Sequence, residues 1–183
     1  MCPPPSSREL IVDAAEAVVI EVGAAHMTLE AVAAKAGVSK GGLLYHFPTK
    51  EALLKAMLNR HLQRLDEARK KKCAELQDDT TREIKAYVLS SLVRDRKTEC
   101  ISAALLAAVA HDPRLLEPVR DEYQKRLAEF TSSGLRFERA AVVALAADGL
   151  RLLEILSLSP LKYNQRKHVI EEMLRLTSEN ISS

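Results

Sequence analysis

Apolar residues return every three or four positions along almost the whole chain, and that periodicity restricts it to an all-α fold. Leu10, Ile11, Ala14, Ala15, Val18, Val19 and Val22 set the pattern. No segment alternates apolar and polar residues over a strand's length, and no internal repeat occurs. Ser6 followed by Glu9 reads as a capping box, so the spacing predicts a first helix over about Arg8–Val22, stopped by Gly23. Thr28 caps a second helix carrying Leu29, Val32 and Ala33, ended by Gly37. Ser39 caps a third through about His46, and Pro48 breaks it. Thr49 caps a fourth, with Leu53, Leu54, Met57, Leu58, His61, Leu62 and Leu65 on one side.

Beyond a loop near Gln77–Thr80, Thr80 and Glu83 form a second capping-box pattern ahead of Ile84, Tyr87, Val88 and Leu92. RDRK at 94–97 reads as a polar break, succeeded by an apolar helix over about Glu99–Ala110. Asp112 and Pro113 supply an N-cap and a proline at the first helical position, and Pro118 kinks or divides that helical segment. After SSG at 132–134, two long helices close the chain, about Phe137–Leu158 and Asn164–Asn180, separated by SPLKYN. The count comes to about nine helices. The expected boundary lies near residue 50, with 1–50 one domain and 51–183 the other, sharing the fourth helix.

The 183 residues suit one or two domains. With 47% apolar and 28% charged residues the chain is expected to bury a core rather than remain disordered. A net charge of +2 argues for neither nucleic acid nor membrane. Cys2, Cys73 and Cys100 are too few and too scattered for zinc or a disulfide framework, which favours a reducing cytoplasm. The MCPPPSSREL start has no secretory core. No apolar run approaches about 18 residues, so no membrane span is expected. No cofactor is implied. There is no GxSxG, HExxH, P-loop or SxxK pattern serving a nucleophile, and the five histidines, 26, 46, 61, 111 and 168, are scattered, so no enzyme is expected.

One stretch carries the chemistry, GVSKGGLLYHFPTKEALL at 37–54. Two short helices joined by AGVS fit a helix-turn-helix, with Gly37 making the turn and Val38 packing between helices. The second helix of such a motif enters the major groove by its N-terminal part. Glycine costs about 1 kcal/mol relative to alanine inside a helix. Gly41 and Gly42 trade that propensity for room, letting backbone approach DNA. Lys40 can reach guanine edges or a phosphate. Tyr45, His46 and Lys50 can donate to phosphates, and the amides opening the helices at Thr28 and Thr49 can bind phosphate. Phe47 reads as a core aromatic. Tyr45 reads as a phosphate contact, with a core aromatic as the alternative, and His46 is either a DNA contact or a surface histidine. Residues 1–50 hold four Lys/Arg and five Asp/Glu, so charge alone would not have suggested DNA. The ARKKK run at 68–72 reads as a solvated helix face.

The stretch resembles the TetR family of transcriptional repressors. The motif runs Thr28–Leu29, Val32–Ala33, Ala36–Gly37–Val38–Ser39–Lys40–Gly41, Leu43, Tyr45–His46–Phe47 and Thr49–Lys50–Glu51–Ala52–Leu53–Leu54. The resemblance implies an N-terminal three-helix DNA-binding domain, a C-terminal helical ligand-binding and dimerisation domain, and a homodimer on a palindromic operator in double-stranded DNA, released by a small-molecule effector. Carried over by position, the DNA-binding set is Thr28, Ser39, Lys40, Gly41, Gly42, Leu44, Tyr45, His46, Thr49 and Lys50. Two positions depart from the family pattern. Leu44 stands where a tyrosine is frequent and can touch a thymine methyl. Gly42 stands where a polar residue is common. Base readout then rests more on Lys40 and on DNA shape.

In the C-terminal region Ala141, Leu145, Asp148, Gly149, Leu152 and Leu156 share one helical stripe. With Val169, Met173 and Leu176 of the last helix they form the expected dimer face, the alternative being monomer core. Asp148 is the odd residue there, with Arg151 three positions on as a local partner. Met57, Tyr87, Cys100, Leu105, Tyr123 and Leu127 are the candidate pocket lining. With aromatics at 4% and no tryptophan, an aromatic cage for a cation is disfavoured, and a hydrophobic effector is expected. Cys100 reads as a structural thiol, with a redox sensor as the alternative. The rival functions are an all-helical interaction protein that never touches DNA, and a ligand-independent regulator or activator.

Overall fold

In the computed structural model, which describes residues 6–77, 80–132 and 135–178, the chain is all-α, as the periodicity predicts. Cys2, Gly134 and Asn180 of the sequence reading, and Ile181 beyond them, lie outside those residues. The helices are α1 (Ser7–Val22), α2 (Leu29–Ala36), α3 (Lys40–His46), α4 (Lys50–Glu75), α5 (Arg82–Ser91), α6 (Arg96–His111), α7 (Glu117–Ser132), α8 (Phe137–Ile155) and α9 (Tyr163–Ser178). A 3-10 turn over Pro113–Leu116 precedes α7. No helix among the described residues is long and apolar enough to cross a membrane.

The first caps form where the sequence places them. The Ser6 hydroxyl accepts from the Glu9 amide, and the Ser6 amide donates back to the Glu9 carboxylate at 2.7 Å. Three later boundaries differ from expectation. The Thr80–Glu83 box does not form: α5 starts after Thr81, which makes no side-chain cap. The Glu83 carboxylate is engaged by Arg69 and by the Cys73 thiol instead. The polar break expected at 94–97 falls at 92–95 instead: α5 ends at Ser91, Asp95 accepts from the Thr98 amide at 2.8 Å, and α6 begins at Arg96. α8 ends at Ile155, short of Leu158. Ser157 adopts a left-handed φ of 57°, the Leu158 amide donates to Leu153 O, and the Ser157 amide donates to Glu154 O. That is a Schellman closure built on serine, where glycine is the usual residue.

The chain forms two compact units. One holds residues up to Leu62 together with Asp95–Pro118; the other holds Gln63–Arg94 and the residues from Val119 onward. α4 therefore contributes to both, and α6 belongs with the N-terminal helices, a division other than the one at residue 50.

In the first unit α1 packs on α2 and on α6, and α2 packs on α3. Ile11, Ala15, Met27, Val32, Leu43, Leu53, Met57 and Ile101 are buried there. A charged group lies among them. Glu16 is only 1% exposed, and Arg60 of α4 meets it at 2.6 Å while reaching Asp13 at 2.7 Å. A second polar link joins α4 to α6, with Ser102 Oγ and His61 Nε2, both buried, 2.9 Å apart.

The second unit centres on Ile84, Tyr87, Val88, Phe130, Ala140, Val143, Ala147 and Met173, with Leu127, Val169 and Leu176 packed at its edge. Arg69 bridges Asp66 at 2.9 Å, Glu83, and Glu129 at 3.7 Å. Arg166 of α9 meets Glu154 at 2.5 Å and donates to Leu92 O at 2.6 Å, fastening α9 to α8 and to the end of α5.

Removing one partner of a buried ion pair leaves the other charge uncompensated, which costs about 3–5 kcal/mol. Arg60→Leu should therefore lower the unfolding free energy by roughly 3 kcal/mol in urea melts. The Glu16→Leu/Arg60→Leu double variant should recover most of that loss. Equal losses in the single and double variants would refute this role for the pair.

Candidate nucleic-acid interface

The turn between α2 and α3 depends on one backbone conformation. Gly37 sits in the left-handed region, φ 69° and ψ 27°. Its amide donates to Ala34 O at 3.3 Å, and the Val38 amide donates to Ala33 O at 3.1 Å. The pattern is again a Schellman closure, and a side chain at Gly37 would be strained despite open space around it. Leu43 of α3 and Phe47 just beyond it are buried, so Phe47 is core, as expected. The Arg8 guanidinium covers the Phe47 ring at 5.1 Å.

Anchoring α3 by Leu43 and Phe47 turns its remaining surface outward. Thr28, Ser39, Lys40, Gly41, Gly42, Tyr45 and Thr49 are exposed, and Leu44, His46 and Lys50 are half-buried. Three of the exposed hydroxyls act as helix caps. Thr28 Oγ1 accepts from the Ala31 amide, Ser39 Oγ from Gly42, and Thr49 Oγ1 from Ala52, at 3.0–3.1 Å. A hydroxyl that accepts in this way keeps its own proton to donate, so the caps can also face phosphate oxygens. Tyr45 is 85% exposed and meets His46 edge-on, ring centroids 5.2 Å apart. A phenol that exposed contributes little to the core, so the alternative of a core aromatic does not hold.

The two lysines have partners that the sequence did not announce. Lys40 Nζ lies 2.7 Å from Glu30 on α2, and both side chains are exposed. The lysine's hydrogen bond holds the Glu30 carboxyl below the ordinary range. Exposed pairs of this kind are worth little, so Lys40 is readily exchanged onto another anion. Lys50 Nζ donates to Ala25 O at 3.3 Å and ties the start of α4 to the α1–α2 connection. Along 68–72, Lys70 pairs with Asp66 at 2.7 Å and Lys72 with Glu75 at 2.6 Å, but Arg69 is buried against Asp66, Glu83 and Glu129, so the run is only in part the solvated face expected.

The candidate pocket residues divide between the units. Met57, Cys100 and Leu105 belong to the first, Tyr87, Tyr123 and Leu127 to the second. Met57, Leu105 and Tyr87 are buried, and Cys100 is half-buried. In the second unit a polar node forms. The buried Tyr87 hydroxyl donates to Asp148 Oδ1, and the Tyr123 hydroxyl also bonds to that carboxylate. The Arg126 guanidinium lies 5.5 Å from the Tyr87 ring centre, and the Phe130 ring centre lies 5.4 Å from it. Burial first, then the neighbouring Asp148 charge, pushes the Tyr123 phenol up to about 12 and the Tyr87 phenol further. Burial also raises the Asp148 carboxyl, against the opposing pull of both phenols and of Arg151 and Arg126.

Two assignments to the dimer face are corrected by these contacts. Asp148 turns inward to the phenols, and Met173, only 4% exposed, lies in the core of its own unit. Val169 and Leu176 are packed partly against that core. Ala141 and Gly149 are half-buried, while Leu145, Leu152 and Leu156 are exposed, with Val142 and Leu153 beside them. Sequence reading missed Glu16 and Arg60. The available signal was a carboxylate set among the apolar positions of α1.

Residues 11–57 match the family model described as bacterial regulatory proteins, tetR family, and residues 81–178 match the tetracyclin repressor-like C-terminal domain. The chain is 31% identical over 157 residues to the HTH-type transcriptional regulator BetI of Serratia proteamaculans, spanning 81% of this chain and 77% of that protein. Among solved structures it is similar to the multidrug binding protein EbrR complexed with malachite green, at 27% identity and a TM-score of 0.72, covering 94% of this chain and 98% of the other. A transcriptional regulator from Rhodococcus sp. shares the fold, with a TM-score of 0.74 at 20% identity over 94% of this chain and 99% of its own.

Tyr45→Ala should leave the unfolding free energy within about 0.5 kcal/mol while weakening DNA binding by about 1 kcal/mol, roughly fivefold in Kd. Paired urea melts and duplex titrations check both values. In the node, the Asp148 carboxyl is raised in the folded state above its unfolded value near 4. The folded protein then holds that proton more tightly, so Asp148 makes stability fall as pH rises from about 4 through the folded value. Asp148→Asn removes this slope. Urea melts across pH 4–7 should show the variant gaining on the wild type as pH rises.

Proposed function

The chain belongs to the TetR family of bacterial regulatory proteins, and from that premise we propose that it is a ligand-released repressor acting as a homodimer on a palindromic operator. It is a DNA-binding transcriptional regulator and not an enzyme. The repressor reading adds the sign of regulation, the operator symmetry and the release by effector.

The observation that carries DNA recognition is the outward face of α3. Its inner positions Leu43 and Phe47 are buried, while Lys40, Tyr45 and the capping hydroxyls of Thr28, Ser39 and Thr49 stand exposed around it. In this reading Tyr45, His46, Lys50 and the caps hold phosphates, and Lys40 and Leu44 meet base edges.

The dimer is supported by the exposed apolar stripe of α8. Leu145 is 70% exposed, with Val142, Leu152, Leu153 and Leu156 near it. An apolar stripe on a helix with one packed face fits burial against a second copy. A twofold dimer presents two α3 helices to half-sites about one turn of DNA apart.

For the effector, the EbrR structure with malachite green supports a small organic molecule with substantial apolar surface. Tyr87, Tyr123 and Leu127 line its site in this reading, with the Asp148 node providing hydrogen bonds at one end. The effector acts by preferring the DNA-incompetent state, and its differential affinity sets the size of the response. The regulator works in the cytoplasm.

Selection from a random duplex pool at physiological salt tests the reading. A palindromic winner, bound by a dimer, is the expected result. Lys50→Ala should weaken all sequences alike and flatten the salt slope by about one unit, and Lys40→Ala should also relax base preference. Sequence-blind binding with no change in either variant would favour an interaction protein that does not read DNA.

A further inference from the structure

We propose that Gly41 and Gly42 are specificity-determining positions, required by the operator and not by the fold. The proposal rests on the operator-binding reading and adds how the base-facing turn of α3 is used.

Both glycines are exposed, and neither has a positive φ, unlike Gly23 and Gly37. Nothing in the backbone conformation therefore calls for glycine. A Cβ built at Gly41 would approach only Ser39 Oγ, at 4.0 Å, and one at Gly42 would meet Ser39 Oγ at 3.3 Å and Val38 Cβ at 4.0 Å. The first is open. The second asks a capping hydroxyl to give by a few tenths of an ångström.

α3 has only seven residues, Lys40–His46, and two glycines in so short a helix weaken it where alanine would strengthen it. Finally, helical geometry turns Gly41 and Gly42 away from the buried Leu43 and Phe47, on the side that also carries Tyr45. The outermost surface of the first turn is therefore bare backbone. A helix face without side chains can seat closer to base-pair edges than one that carries them. The half-site is then read by what flanks the bare turn, Lys40 and Leu44, and by the width and deformability of the groove that admits it.

The test compares wild type, Gly41→Ala, Gly42→Ala and Gly42→Thr as full-length protein. Thermal melts come first. Gly41→Ala should hold or raise Tm, by ~2–4 °C, and for Gly42→Ala that gain is offset by the shift it asks of Ser39 Oγ. Affinity is then measured for the operator selected by wild type and for a scrambled duplex. Each alanine variant should bind the operator at least tenfold more weakly and the scrambled duplex equally well. Reselection with Gly42→Thr should return an altered half-site.

A fall in Tm for Gly41→Ala would overturn the proposal by showing that the fold demands glycine. Unchanged operator affinity in both alanine variants would overturn it, as would an unchanged consensus with threonine at 42. Wild type that binds no duplex would sink the operator reading and this proposal with it. Wild type that selects an operator which the variants bind equally well would sink this proposal alone.

Discussion

The buried contact between Arg60 and Glu16 is the constraint from which the DNA-binding unit is built. Glu16 lies among the apolar residues of α1, where an unpaired carboxylate would be costly. Arg60 supplies the compensating charge and reaches Asp13 as well. A guanidinium that must satisfy two carboxylates one turn apart has little freedom of position, so the first half of α4 is held in a defined register on α1. The start of α4 is held again by Lys50 on Ala25 O. α2 packs on α1, and α3 on α2. The outward face of α3 therefore inherits its orientation from contacts that lie well behind it.

In the proposed DNA-binding reading, single groups on that face serve two purposes. The capping hydroxyls of Thr28, Ser39 and Thr49 close helix starts by accepting amide protons, and each keeps a proton for a phosphate. The Lys40–Glu30 pair holds a flexible cation in place without burying it, at an energy small enough for a phosphate to displace. In that reading both arrangements place polar groups for DNA at little cost to the folded protein. Charge totals could not reveal this, because residues 1–50 carry slightly more acid than base.

The second unit uses its polar groups differently. Tyr87, Tyr123 and Asp148 join α5, α7 and α8 through one carboxylate, and burial raises the titration of all three groups. With its hydrogen bonds made, such a node is specific about which helices meet. The apolar residues of α8 divide around it. Ala140, Val143 and Ala147 fill the core, and Val142, Leu145, Leu152 and Leu156 remain outside. The inward turn of Asp148 and the burial of Met173 take those two residues out of the expected dimer face.

What sequence alone determined here is local. The all-α class, the caps at Ser6, Thr28, Ser39 and Thr49 and the left-handed turn at Gly37 each depend on residues within a few positions of one another, and there the physics is short-ranged. The boundary of α5 escaped for the opposite reason. Glu83 is drawn from its cap by Arg69, 14 residues away in the chain. The same holds for side chains whose partners are distant: Arg60 for Glu16, Tyr87 for Asp148, Arg166 for Leu92 O. A helical stripe shows which residues share a face. Only the tertiary structure decides what that face meets, because burial and ion pairing depend on which chain segments come together.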